Sequence, residues 1–312
     1  MLLSNQMTLQ AGLEVTPGTD PVLTGTAGLL AFNVNINPAE GTFAEEKLAR
    51  ADFGNDLNEP NEVYQTLTFQ TPFVGSGAAG TAPFYGCIMQ ACGLLETITA
   101  TTKVEYTTQN WAEATAKACS IYFDWAGVMF KLLMSRGSVK ATWAANAKPM
   151  LEWSMTGLTS PAADAPFPDV KATIDALLRG LPMNKANTTV TIHGVTPPIE
   201  SLSIDLGNTV IYRNRPNSEI VAITNRSSTG SIQFAKQPIA TFDPLARYKA
   251  KTTGPLAVVH GTVAGNIVKI DAPIVQFGQP TLTDVNGVLH DSVPLRFIRA
   301  SAGNGELKFT VQ

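Results

Sequence analysis

Charge, histidine and cysteine are all scarce in this chain. Of its 312 residues only 15 % are Asp, Glu, Lys or Arg, and the formal net charge is −3. No basic cluster exists; Arg213 and Arg215 are the densest local basic pair. A protein that grips nucleic acid presents a basic patch, and an acidic chain without one repels DNA. The three cysteines, Cys87, Cys92 and Cys119, are an odd number without Cys-x-x-Cys spacing. That excludes a disulfide framework and a cysteine-based zinc site. They read as small buried residues in a reducing compartment. No apolar run approaches the ~20 residues that span a bilayer. The N-terminus, Met1-Leu-Leu-Ser-Asn-Gln6, lacks the basic and long apolar regions of a secretory signal. Folding in a cytoplasm, without membrane insertion, is the expectation.

Catalytic signatures are missing too. His193, His260 and His290 stand far apart in sequence, and His193 and His260 sit in strand-like contexts beside glycine. There is no Gly-x-Ser-x-Gly elbow, Walker loop or His-Glu-x-x-His pair. Ser135-Arg-Gly-Ser138 and Gly75-Ser-Gly77 read as hairpin or linker glycines, not phosphate cradles. Carboxylates gather only between Glu40 and Glu62, without the spacing of a calcium loop. The expectation is a protein that is not an enzyme, with no catalytic residue, cofactor or metal. The four tryptophans, Trp111, Trp125, Trp143 and Trp153, are scattered over hairpins; core or subunit packing fits them better than a glycan platform.

What the chain does have is apolar content of 44 %, with Thr, Asn and Ser as its main polar residues. This suits β-structure and surfaces that end against other subunits. The plainest stretch is Ser201 to Thr224. Leu202, Ile204 and Leu206 alternate with Ser201, Ser203 and Asp205, the period of a strand with one buried face. A loop carrying Arg213, Arg215 and Pro216 follows, then an apolar run, Ile220 to Ile223. After a turn at Ser227 to Gly230, a strand runs from Ser231 to Ala235. A weaker copy lies near the N-terminus. Leu29 to Ile36 is a strand, Pro38-Ala-Glu-Gly41 turns it out, and Thr42 to Asn61 is a charged loop. Val63 to Phe73 alternates again.

Each copy leads to a helix. Pro83 and the stripe Ile88, Ala91, Cys92, Leu95 mark the first, ending near Gly93 to Thr97; Asp243-Pro244 caps the second. After the first helix come strands at Val104–Thr107, Ala118–Phe123, Val128–Met134, Val139–Trp143 and Met150–Thr156. After the second come Leu256–His260, Ile267–Ile270 and a hairpin around Asp284-Val-Asn-Gly287. Strand, charged loop, strand, helix and meander thus occur twice. The expected organisation is a turn-rich N-terminal arm (1–28) ordered on its own domain or a neighbour, a first domain (29–158), a linker (159–190) with a short helix at Val170 to Leu178, and a second domain (191–312).

Several segments resemble the major tail tube proteins of long non-contractile-tailed bacteriophages, of the Mu-like siphophage type. They are Gly12-Leu-Glu-Val-Thr-Pro-Gly-Thr-Asp-Pro21, Gly77-Ala-Ala-Gly-Thr-Ala-Pro83 with Ala91-Cys-Gly93, and Ser201-Leu-Ser-Ile-Asp-Leu-Gly-Asn208 with Val210-Ile-Tyr-Arg-Asn214. Thr253-Gly-Pro-Leu256 and Gly265-Asn-Ile-Val268 with Asp271-Ala-Pro273 complete the set. The resemblance implies a mainly β chain of two tandem tail-tube domains, each a β-sandwich or half-barrel with a flanking α-helix. It implies a virion protein, assembled in the host bacterial cytoplasm, whose rings stack into the conduit for genome ejection. Two domains per chain imply trimeric rings with pseudo-sixfold symmetry. The implied partners are further copies of the chain, a tape-measure protein in the lumen, terminator and distal-tail proteins at the tube ends, and genomic DNA passing without specific binding. A distal-tail or glycan-binding adhesin component is the competing expectation. Candidate contacts between subunits or rings are Glu45, Glu46, Arg50, Asp52 and Asp56 in the first loop, against Arg213, Arg215 and Glu219 in the second.

Overall fold

A computed structural model describes residues 5–46, 48–110, 112 and 116–312. Residues 1–4, 47, 111 and 113–115, Trp111 among them, lie outside the described residues. The chain is mainly β, with 52 % strand and 7 % helix. The first half supplies β1 (Met7–Leu13), β2 (Phe32–Glu45), β3 (Asn58–Pro72), helix α1 (Gly86–Ala91), β4 (Leu94–Thr99), β5 (Lys103–Thr108), β6 (Cys119–Trp125), β7 (Val128–Ala144), β8 (Met150–Thr159) and the short β9 (Ala163–Asp164). Helix α2 (Lys171–Ala176) leads to β10 (Thr188–Ile192), β11 (Ile199–Asp205), β12 (Asn208–Arg215), β13 (Ser218–Arg226) and β14 (Thr229–Ala235). Helix α3 (Pro244–Lys249), β15 (Thr253–His260), β16 (Val268–Phe277), β17 (Thr281–Val285), β18 (Val288–Phe297) and β19 (Lys308–Val311) complete the chain.

Local chemistry accounts for the helices. The Asp243 carboxylate accepts from Leu245 N at 3.0 Å and Ala246 N at 3.1 Å, a cap worth about 1 kcal/mol. Pro244 occupies the first turn, where its missing N–H costs nothing. Helix α1 buries Ile88, Met89 and Ala91. Just past α1 and α3 stands a residue in the left-handed region, Gly93 at φ 78 and Lys251 at φ 54, which ends the helical path.

Eight strands pair in the order β2-β3-β8-β7-β11-β14-β18-β17, every pair antiparallel. The other strands pair in the order β10-β15-β16-β19-β5-β4, with β1-β6 and the short β9 attached to β7 and the end of β16 also paired with β18. The β12–β13 hairpin stands apart as a two-stranded sheet. Neighbour relations recur along the chain: β1–β6 and β10–β15, β2–β3 and β11–β14, β3–β8 and β14–β18, β6–β7 and β15–β16, β7–β8 and β17–β18. Buried side chains from both halves form one continuous apolar cluster. Phe73 sits within it, 5.7 Å from the Trp143 ring and 6.3 Å from those of Tyr85 and Phe309.

Several elements differ from expectation. Pro38-Ala-Glu-Gly41 is not a turn but lies inside β2, at a register shift between Asn37 and Glu40. This is an edge strand, where a missing proline N–H faces no partner. Strand therefore continues to Glu45 and resumes at Asn58, so only 46–57 connects the two. Ser135-Arg-Gly-Ser138 is not a hairpin either. Val128–Met134 and Val139–Trp143 are one strand, β7, bulged between Leu133 and Arg136 with Met134 at φ 48. The bulge survives because its polar groups are satisfied. Buried Glu14 accepts from Met134 N at 2.7 Å, Ser120 Oγ at 2.7 Å and Gly18 N at 2.6 Å. Buried Arg136 donates to the carbonyls of Lys117 and Ala116 at 3.1 and 3.3 Å and to that of Val221. Part of the N-terminal arm is core structure: β1 pairs with β6, and Leu9 and Ala11 are buried. The loop expected to carry Arg213 and Arg215 is the β12–β13 hairpin, turned by Pro216 and Asn217, the latter at φ 66. Leu95 belongs to β4 rather than to the first helix.

Candidate assembly interface

The eight-strand sheet has a buried face and a polar face, because strand side chains alternate. Val139, Ala141, Trp143, Leu151, Trp153, Leu202 and Ile204 are buried; their odd-step neighbours point the other way. Across that polar face one row of direct cross-strand partners runs Gln70, Glu152, Lys140, Asp205, Thr229, Arg296. Its charges alternate and cancel: Glu152 and Asp205 against Lys140 and Arg296. Opposed charges on adjacent strands contribute roughly 0.2–1 kcal/mol per pair. Lys140 Nζ lies 3.6 Å from Glu152 Oε2. Asn33 donates to Gln70 Oε1 at 2.7 Å, and Gln70 donates to Glu152 Oε1 at 3.4 Å. The hydroxyls of Ser203 and Ser231 lie 2.9 Å apart in the next row. Asn33, Gln70, Glu152 and Lys140 are linked to one another along a depression of about 350 Å³ that Asp205 also lines.

The sheet is joined across the two halves of the chain at one seam. The last five residues of β7, Lys140 to Ala144, pair with Ser201 to Asp205 of β11. The ends of the strand order are β2 and β17, and each has a neighbour on one side only among the described residues. The edge of β17 carries Leu282, 61 % exposed. An open apolar edge is a template for another strand.

Two hairpins project from this sheet. The root of β12–β13 is anchored on the first half of the chain. Asn208 donates through Nδ2 to Cys92 O at 2.7 Å and Gly137 O at 2.9 Å, and through its backbone to Ser138 Oγ at 3.1 Å. Its flank lies against β3, where the Tyr212 and Tyr64 rings stack at 5.0 Å. Arg215 pairs with Glu62 at 3.1 Å. Glu219 accepts from the Tyr212 hydroxyl at 2.6 Å; partial burial and this carboxylate push Tyr212 up to about 12. Arg213 is exposed opposite Ile220.

The β2–β3 connection braces itself. Arg50 pairs with Asp56 at 3.0 Å and donates to Gly54 O at 2.6 Å, and Asp56 accepts from Leu48 N at 3.3 Å. Glu45 closes β2 opposite Asn58, Glu46 N donates to Leu57 O at 3.2 Å, and Asp52 is exposed. Of the expected site residues, the structure brings together Arg50 with Asp56. Arg215 meets Glu62, which lies outside that set. No pattern in the sequence singles out Asn208, Arg136 or Leu282.

Elsewhere the reactive side chains are packed away. His193, His260 and His290 are all buried. His193 stacks on Phe277 at 4.1 Å, and burial lowers its pKa and that of His260. The thiols are free, and burial pushes Cys87 up to about 12. Trp143 and Trp153 are core residues. Among the described residues no group of three His, Cys, Asp or Glu side chains could hold a metal ion, and no helix is long and apolar enough to cross a membrane. No family model matches the sequence, and no curated protein matches it.

Proposed function

We propose that the chain is a structural virion protein that polymerises into stacked rings, the tail tube through which a phage genome leaves its capsid. The observation that carries this proposal is the β7–β11 seam together with the two open edges. The recurring neighbour relations treat β2 as the counterpart of β11 and β17 as the counterpart of β7. The seam inside the chain is then the template for a seam between chains, β17 to β2 of the next copy. Eight strands of alternating direction leave these two edges antiparallel, as the seam requires.

In this function the halves are two tandem tube domains, each a sandwich with a flanking helix, α1 or α3. Three copies close a ring of pseudo-sixfold symmetry, and rings stack head to tail. The polar face lines the lumen. Non-specific affinity for DNA comes from neutralising phosphates, so a row whose charges cancel within itself holds a passing polyanion weakly. A tape-measure protein fills the lumen before DNA does, and terminator and distal-tail proteins close the ends. Burial of Trp143 and Trp153 takes two of the tryptophans out of any glycan-binding surface, which weighs against an adhesin. Negative-stain imaging of the purified chain is the test. Rings or tubes with a central hole and three copies per ring are expected; a monodisperse monomer at all concentrations, or six copies per ring, overturns the proposal.

A further inference from the structure

One of the two hairpins is seated and the other is not. The seat of β12–β13 has two parts. One is the end of α1, where Cys92 O accepts from Asn208 and Gly93 lies against Ile223. The other is the β7 bulge, where Gly137 O and Ser138 Oγ hold Asn208 and Arg136 reaches Val221 O. The recurring strand relations put α3 in the place of α1, and the β16–β17 junction in the place of the β7 bulge. Helix α3 ends as α1 does, with Lys251 at φ 54 where Gly93 is at φ 78. The second half therefore carries an equivalent seat, and its Lys249, Ala250, Lys251 and Gln279 are exposed.

The occupant follows from strand order. The hairpin in the filled seat rises from β11, the strand that pairs with β7. A hairpin for the second seat must rise from a strand pairing with β17. That edge is open, and β2, the counterpart of β11, is at the far end of the same sheet. Only another copy can bring a β2–β3 hairpin there. The chemistry matches. Glu46, Asp52 and Glu59 make no ion pair among the described residues, and neither do Lys249 at the end of α3 and Lys251 just past it. The hairpin exposes Phe43, Phe53 and Leu57, at 61, 105 and 79 %, and α3 exposes Leu245 and Tyr248.

We propose that the β2–β3 hairpin of one copy docks on the α3 end and the β16–β17 junction of a second copy, with its carboxylates facing Lys249 and Lys251. This rests on the self-assembly proposed above and names the surface that carries it.

The test compares wild type with K249E/K251E, both substitutions at exposed positions, after thermal melting of dilute protein confirms an unchanged fold. Light scattering at low salt is expected to show the concentration needed for assembly raised about tenfold or more, since opposed charges become like charges. Adding Glu46→Lys and Glu59→Lys in the same chain is expected to restore assembly. Carbodiimide treatment of mixed light and heavy isotope copies is expected to join Lys249 or Lys251 of one copy to a hairpin carboxylate of another. Assembly of K249E/K251E indistinguishable from wild type overturns the docking and leaves the tube proposal standing. Wild type that never assembles overturns both.

Discussion

The β7–β11 seam and the β2 and β17 edges are built from similar strands, yet one is closed and the others are open. At the seam, β11 has a neighbour on each side, β7 and β14, and Leu202 and Ile204 are buried to 1 and 0 %. At the edge, β17 pairs only with β18 among the described residues, and Leu282 keeps 61 % of its surface. Strand sequence alone does not account for the contrast. What differs is whether the chain itself delivers a second neighbour. A covalent connection supplies β11 to β7; the equivalent partner of β17 is on no part of the same chain that can reach it. The same contrast separates the hairpins, one anchored through Asn208 and Arg136 and the other projecting with Phe53 fully exposed.

The sharpest way to break this comparison is to place the same kind of damage on each side. Ser203→Pro in β11, between two paired neighbours, is expected to cost about 3 kcal/mol or more of monomer stability, seen as a large drop in the denaturant midpoint of dilute protein. Arg136→Met leaves the Val221, Lys117 and Ala116 carbonyls without their buried donor. It should cost about 3 kcal/mol, and hydrogen exchange should show the β12–β13 root opening first. Leu282→Lys on β17 is expected to change monomer stability by only about 0.5 kcal/mol while abolishing assembly by sedimentation, because a lysine on the edge blocks edge pairing. If it lowers monomer stability as much as Ser203→Pro does, the edge is not open. Arg215→Ala removes an exposed pair and is expected to change stability by less than about 0.5 kcal/mol; a larger loss would show that the Tyr64–Tyr212 flank depends on it.

Acid should act on the second half through its histidines. Burial depresses the folded-state pKa of His193 and His260 below the unfolded value. The unfolded chain then binds more protons, so stability is full above about pH 6.5 and falls as pH drops through the folded values. Denaturant midpoints at stepped pH check the direction. His193→Asn, tolerated at φ 49, should flatten the slope, and an unchanged slope would locate the sensitivity elsewhere.

Much of this was legible where neighbours in sequence decide the outcome. Alternation at Leu202, Ile204 and Leu206 marked β11, Asp243-Pro244 marked α3, and Asp284 to Gly287 marked a turn, because caps, turns and one-face burial are settled within a few residues. β10 and β19 were not legible: they are short, and they become strands through β15, β16 and β5, which lie far away in sequence. Pro38 and Ser135-Arg-Gly-Ser138 carry breaker chemistry and still lie within strands, since an edge position forgives one and Glu14 and Arg136 satisfy the other. The sequence by itself determined a β-chain with its helices, turns and apolar faces. Only the tertiary structure decided which edges are closed, that Arg215 meets Glu62, and which hairpin is seated. Those outcomes depend on register between strands far apart in sequence, such as β7 and β11, and no local pattern encodes that register.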